Sequence, residues 1–248
     1  MLVRNRAFSL VELSIVLIII GLLVAGVSGG SQLIEQSKIR KVISEVKDLR
    51  VNLNLFRSAY GQFPGDFDDA DSFWPGCNSG ATTEECNGNG DGRIDLENNE
   101  GEPLRLWQHL FLAEILTQSY SGVLSSGTVK VNVNVPKSIM GKTGGYYIRN
   151  AVDVPINAVP LAGLTIVAGS ETATSVWLSN KLFTSRQAYF IDKKMDDGLA
   201  SSGKVKPNFY YEFSTWHSDK CLDGTFPNKT FKLQSTDVEC VIYFTAEE

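Results

Sequence analysis

Residues 13–34 contain no charged side chain, a run of 22 positions. As a helix this run extends about 33 Å, and a bilayer core asks for about 20 apolar residues. Arg4 and Arg6 precede it, the arrangement of a single spanning helix with a short amino terminus in the cytoplasm. Ala25, Gly26, Ser28, Gly29 and Gly30 imitate a secretory cleavage region, yet the apolar run is long for a signal peptide. One carboxylate, Glu12, stands at the edge of the run. A charge there is costly and usually functional. Glu12 either sits at the headgroup level or meets a partner cation inside an assembly.

The helical pattern continues past the apolar run and becomes amphipathic. Ile39, Val42, Val46, Leu49, Leu53, Phe56 and Tyr60 recur every three or four residues, which places them on one helical face. Lys38, Arg40, Lys41, Glu45, Lys47, Asp48 and Arg50 occupy much of the remainder. The spacing predicts a helix from near Phe8 to near Ala59, about 75 Å long, ended by Gly61 and Pro64. Its first half, residues 8–30, is the membrane and assembly portion. Its second half, residues 31–60, is a scaffold for the globular part, residues 61–248.

The chain has 248 residues and a net charge of -5, a balance that argues against nucleic acid as a partner. His109 and His217 lie far apart, so a histidine-cluster metal site is not expected, and His109 reads as a partly buried structural residue. There are four cysteines, Cys77, Cys86, Cys221 and Cys240. Four cysteines permit three pairings. The simplest is local, Cys77 with Cys86 and Cys221 with Cys240, and disulfides of either kind imply an oxidising compartment. Buried free thiols are the plain alternative. No catalytic triad, Walker motif or metal-hydrolase motif is present in the sequence, so an enzyme is not expected.

Residues 66–102 hold 11 acidic residues against a single base, Arg93. Repeated glycines and Pro75 mark this region as loop, with Phe63, Phe67, Phe73 and Trp74 expected to pin it to the domain. Within it, residues 87–95 resemble the first nine positions of an EF-hand or dockerin calcium loop. Asn87, Asn89 and Asp91 supply alternating oxygen ligands, Gly92 the turn, Arg93 a backbone carbonyl and Asp95 a further carboxylate. Position 12 is Asn98 rather than glutamate, so Glu97 or Glu100 would have to close the site. Ca2+ is therefore the expected cofactor, and an Asn-Gly and Asp-Gly turn with surface acids is the alternative.

Pro103 and the apolar spacing after it predict a second helix over 103–116. The alternation of residues 128–135 predicts a half-buried strand. Residues 144–148 and 164–168 are further strands, 178–195 a helix, and 229–233 and 241–244 edge strands. Asp196, Asp197 and Gly198 read as a charged turn closing that last helix, with a second cation site as the alternative.

The stretch Ala7-Phe8-Ser9-Leu10-Val11-Glu12, followed by the long apolar run, resembles the class III signal of type IV pilins and type II secretion pseudopilins. The resemblance implies cleavage between Ala7 and Phe8 by a prepilin peptidase, N-methylation of Phe8, and loss of the leader, residues 1–7. Glu12 would meet the amino terminus of a neighbouring subunit and set the stagger between helices. Opposite charges in an apolar setting attract strongly and either alone is penalised.

Ala7 departs from the glycine usual in the family, and the proline common near the middle of the helix is missing. Gly26, Gly29 and Gly30 weaken the helix there instead. The implied fold is α+β and pilin-like: a long amino-terminal helix, transmembrane in its first half, packed on an antiparallel-sheet domain with extra loop and helices. The implied partners are the membrane, other pilin or pseudopilin subunits, the peptidase and an inner-membrane assembly platform. The implied location is the bacterial inner membrane with a periplasmic domain. Residues 188–198 look like a segment recurring in large pilin-like proteins, and residues 221–240 resemble the family's carboxy-terminal disulfide-bounded region. A single-pass tether carrying a periplasmic, calcium-dependent binding module is the alternative function.

Overall fold

A computed structural model describes residues 9–77, 86–95, 101–124, 127–150, 163–207, 221–224 and 228–246. The chain divides into two units, Met1–Arg40 and Lys41–Glu248. Helix α1, Leu10–Tyr60, runs through both and is 51 residues long. It is long and apolar enough to cross a membrane by length and composition. In the first unit its large apolar side chains from Leu10 to Ile34 are all exposed.

In the second unit α1 supplies the stripe that its spacing predicts. Val42, Val46, Leu49, Leu53 and Phe56 are buried. Two polar contacts fix this part of the helix on a sheet. Tyr146 Oη donates to Glu45 Oε2 at 2.6 Å, and Arg50 donates through Nε and Nη2 to the Thr245 carbonyl at 3.1 and 2.7 Å.

The sheet has four antiparallel strands: β1 Gly144–Asn150, β2 Leu164–Ser170, β4 Val205–Pro207 and β8 Ile242–Thr245, in the order β1-β2-β8-β4. Register places Ile148, Ile166, Phe244 and Val205 in one row across it. All four are buried, so this row is a shared apolar core. Residues 241–244 were expected at an edge. Ile242–Thr245 lies instead between β2 and β4, and its alternating Ile242 and Phe244 fill that interior position.

The remaining elements are α2 Ala70–Phe73, α3 Glu102–Leu112, β3 Phe183–Thr184, α4 Ser185–Met195, β5 Leu222–Asp223, β6 Thr230–Phe231 and β7 Val238–Cys240. The short strands pair as β3 with β7 and β5 with β6. Disulfides join Cys77 to Cys86 and Cys221 to Cys240. The architecture is the α+β, pilin-like one: a long helix packed on an antiparallel sheet, with extra helices and loops.

Four local expectations are corrected. Residues 128–135 do not form a strand. Asn132 adopts φ 64°, and the Asn134 side chain accepts from Lys130 N at 2.6 Å and donates to Ser121 Oγ and the Val123 carbonyl. A side-chain amide thus captures the backbone that a ladder would need. Helix α4 begins at Ser185 rather than 178, because Thr184 forms a capping box with Gln187. Helix α3 stops at Leu112 rather than 116, with Glu114 turned to φ 57°. Phe73 is 56% exposed, although its ring meets Tyr60 and Phe67 edge-on. Phe67 is the member of that group that is buried.

Candidate functional site

The helix start is built by local capping. Ser9 donates its backbone N–H to Glu12 Oε2 at 2.9 Å, and Val11 N–H donates to Ser9 Oγ at 3.3 Å. Amino-terminal N–H groups of a helix have no intrahelical acceptor, and Ser9 and Glu12 supply acceptors reciprocally, as in a capping box. The Ser-x-x-Glu spacing that signals this cap is visible in the sequence. Glu12 is exposed, and the apolar side chains that follow it are exposed with it. Ala7 and Phe8, the expected processing residues, lie outside the described residues, as does Glu97.

The acidic loop is organised differently from its linear motif. Asn87, the expected first ligand, turns to α2: its Oδ1 accepts from Asp71 N and its Nδ2 donates to Asp71 Oδ1, both at 2.9 Å. Asn89 Oδ1 accepts from Asp91 N at 3.0 Å, and Asp91 Oδ1 from Arg93 N at 2.8 Å. These are Asx turns, in which a side chain stands in for backbone. Asp95 pairs with Arg93 at 3.3 Å. Ile94 is fully buried, and its backbone is paired with Asn150 at the end of β1.

Two carboxylates from outside the motif hold the loop by its amides. Asp66 Oδ2 accepts from Gly92 N at 3.0 Å. Glu102, the first residue of α3, accepts from Asn89 N through Oε1 and from Asp95 N through Oε2. Both are buried. Burial raises Asp66 to about 6 and Glu102 to about 7, against the amide hydrogen bonds that lower them. Sequence reasoning counted these two acids as part of a surplus. Their partners lie 26 and 7–13 residues away, beyond the reach of a local pattern.

His109 is fully buried rather than partly so. Gly65 N–H donates to its Nδ1 at 2.9 Å, which leaves the proton on Nε2 to be donated to the Cys86 carbonyl at 2.8 Å. Burial lowers its pKa to about 4, so the ring is neutral. His109 therefore clamps the turn after α1 to the Cys77–Cys86 disulfide. Gly65 permits the approach, because a Cβ there would meet the Glu102 carbonyl oxygen and φ is +94°.

Beside β4, Asp192, Asp196 and Asp197 converge, each with a carboxylate oxygen within 4.8 Å of one from each of the others. Asp192 is raised to about 7, by burial first and by Asp197 and Asp196 after it. Asp196 caps the end of α4, with its N–H donating to the Asp192 carbonyl. The turn expected from Asp196, Asp197 and Gly198 is thus present, and Asp192 joins it from the preceding helical turn.

Residues 2–28 match the prokaryotic N-terminal methylation motif. This is the motif typical of prepilin-like proteins and is consistent with the pilin and pseudopilin superfamily. No curated protein and no solved structure matches the chain.

Proposed function

We propose that this chain is a structural subunit of a type IV pilus or a type II secretion pseudopilus, assembled through α1 after prepilin processing. The observation that carries the reading is the methylation motif over residues 2–28, set on a helix whose apolar surface is exposed at every large side chain from Leu10 to Ile34. Such a surface is stable only in lipid or against other helices. Both surroundings belong to this life cycle: the inner membrane before assembly, and a filament core of like helices afterwards. The disulfides agree with a periplasmic position for the globular unit.

Glu12 has the central role in assembly. In the single chain its carboxylate satisfies Ser9 N–H. On processing, Phe8 becomes a charged secondary amine three residues before α1's Val11. Glu12 of one subunit then pairs with that amine of the next, and the cost of leaving either charge alone in apolar surroundings sets the stagger. Energy for assembly comes from a separate cytoplasmic ATPase, and the chain itself performs no catalysis.

Mass spectrometry of the mature amino terminus tests the reading: N-methylated phenylalanine at Phe8 is expected. An intact Met1, or a cut near Ser28, would sink it. Glu12→Leu is expected to insert in the membrane normally and to fail in filament assembly.

Calcium in the loop 87–95 is a separate reading, supported by the oxygen spacing of Asn89, Asp91 and Asp95 and by the amide framework on Asp66 and Glu102. Asn87 is committed to Asp71, so Asp66 is the better candidate for the first position. Asp91→Ala is expected to bind one calcium fewer than the unsubstituted chain; an unchanged calcium stoichiometry would remove this reading and leave the subunit assignment intact.

A further inference from the structure

We infer that Asp192, Asp196 and Asp197 form a calcium site that ties the carboxy-terminal turn of α4 to the segment leading into β4. Three acidic side chains near one another are common without an ion, so the argument rests on how these are held. One oxygen from each lies within 4.8 Å of one from each of the others. Two ligands on one calcium ion, each at about 2.3–2.6 Å, span that separation.

Backbone amides and one hydroxyl hold the carboxylates. Asp192 Oδ1 accepts from Gly198 N at 3.4 Å, and Asp197 Oδ1 from Leu199 N at 2.8 Å. Asp197 Oδ2 accepts from Ser202 Oγ at 2.6 Å. Asp196 Oδ2 accepts from Lys204 N and from Val205 N. Gly203 lies so close over Asp196 that a Cβ there would collide with its carboxylate, and φ at Gly203 is +74°.

The independent observation is Asp192 itself. It is 0% exposed, and its Oδ2 is buried with no hydrogen-bond partner among the described residues. An acidic oxygen withdrawn from water without a donor is expensive, and this carboxylate is one of a cluster of three. Among the described residues Lys206 on β4 is the ammonium that acts on Asp196 and Asp197, and one ammonium does not balance three carboxylates. A divalent ion seated against Asp192 Oδ2 removes the imbalance and supplies the missing partner. All-oxygen donors on a turn, without histidine or cysteine, suit a hard cation of irregular coordination, which is calcium rather than zinc.

The test is thermal melting of the full-length, detergent-solubilised chain in chelator and in calcium up to about 10 mM, above the range of weak extracellular sites. At calcium about 100-fold over the dissociation constant the midpoint is expected to rise by roughly 5–10 °C. Asp192→Asn keeps the side chain's shape and the acceptor for Gly198, and should fold in chelator while losing this rise. Asp197→Asn, at an exposed position, should lose it too and guards against a folding defect in the first variant. All chains compared carry Asp91→Asn, so that calcium in the loop 87–95 does not supply the rise. A rise retained in both Asp192→Asn and Asp197→Asn, no rise in the chain with Asp91→Asn as its only substitution, or a rise with magnesium alone overturns the site.

Discussion

Between Leu10 and Ile34 helix α1 exposes every large apolar side chain, whereas between Lys41 and Tyr60 it buries Val42, Val46, Leu49, Leu53 and Phe56 and leaves mainly polar positions outside. Backbone hydrogen bonding is the same in both stretches. The difference is one of composition around the helix. An apolar stripe is satisfied by one sheet, while a helix apolar on all sides cannot be covered by a single neighbour and calls for lipid or several helices. The first stretch is therefore designed for surroundings that one chain does not contain, and the second for the chain's own domain.

Truncation should separate the two stretches most sharply. Phe56→Ala removes a fully buried ring from the aromatic group of Tyr60, Phe67, Trp74 and His109. It should cost about 3–5 kcal/mol in denaturant unfolding of the detergent-solubilised chain. Leu17→Ala, in the exposed stretch, should change the same measurement by less than about 0.5 kcal/mol. Similar costs at both positions would break the comparison.

The next effect concerns the disulfide that closes the carboxy-terminal region. Cys221 and Cys240 are 19 residues apart and fully buried. Replacing both by serine should lower stability by about 3 kcal/mol through the freed unfolded chain. Circular dichroism melting checks this, and the apolar stretch of α1 should remain helical beyond the transition.

Glu102→Gln is a smaller change in size and a specific one in chemistry. An amide has a single acceptor oxygen, so Asn89 N–H and Asp95 N–H cannot both be satisfied. The expected cost is about 1–3 kcal/mol, with hydrogen exchange accelerated at Asn89 or Asp95. Unchanged exchange at both would show that Glu102 does not organise the loop.

The smallest effect is with pH. Glu102, Asp66 and Asp192 hold protons in the folded state up to about 7, 6 and 7, while the unfolded chain releases them near 4. Their contribution is present below the unfolded values and is lost as pH rises through the folded ones. His109 has the opposite sign: neutral in the fold down to about 4, it contributes above 6.5 and is lost as pH falls. In metal-free buffer the melting midpoint should decline between pH 6.5 and 8, where the loss from the acids exceeds the last of the gain from His109. A midpoint that rises over this interval would remove the buried acids as the cause. No such pH response should come from the exposed stretch of α1.

The element carried by a long period, α1 with its stripe, was legible, and the short strands β1 and β2 lie where they were expected. Other short patterns misled. The alternation at residues 128–135 belongs to a turn because Asn134 spends its side chain on Lys130, Ser121 and Val123. Within the candidate loop the sequence named Asn89, Asp91 and Asp95 but not Asp66 or Glu102, whose roles arise only when separate segments meet. Asp192 was likewise read as a helical residue, since nothing local says that its carboxylate is buried without a donor.

By itself the sequence determined that the chain carries a membrane-length helix with an acidic residue at its edge, because charge-free length is a one-dimensional property. It determined the scaffold stripe for the same reason, since helical period is local. Tertiary structure decided which acids serve as anchors, which amides they hold and where β8 lies in the sheet. Those outcomes depend on burial and on partners distant in the chain, and burial is a property of the packed whole.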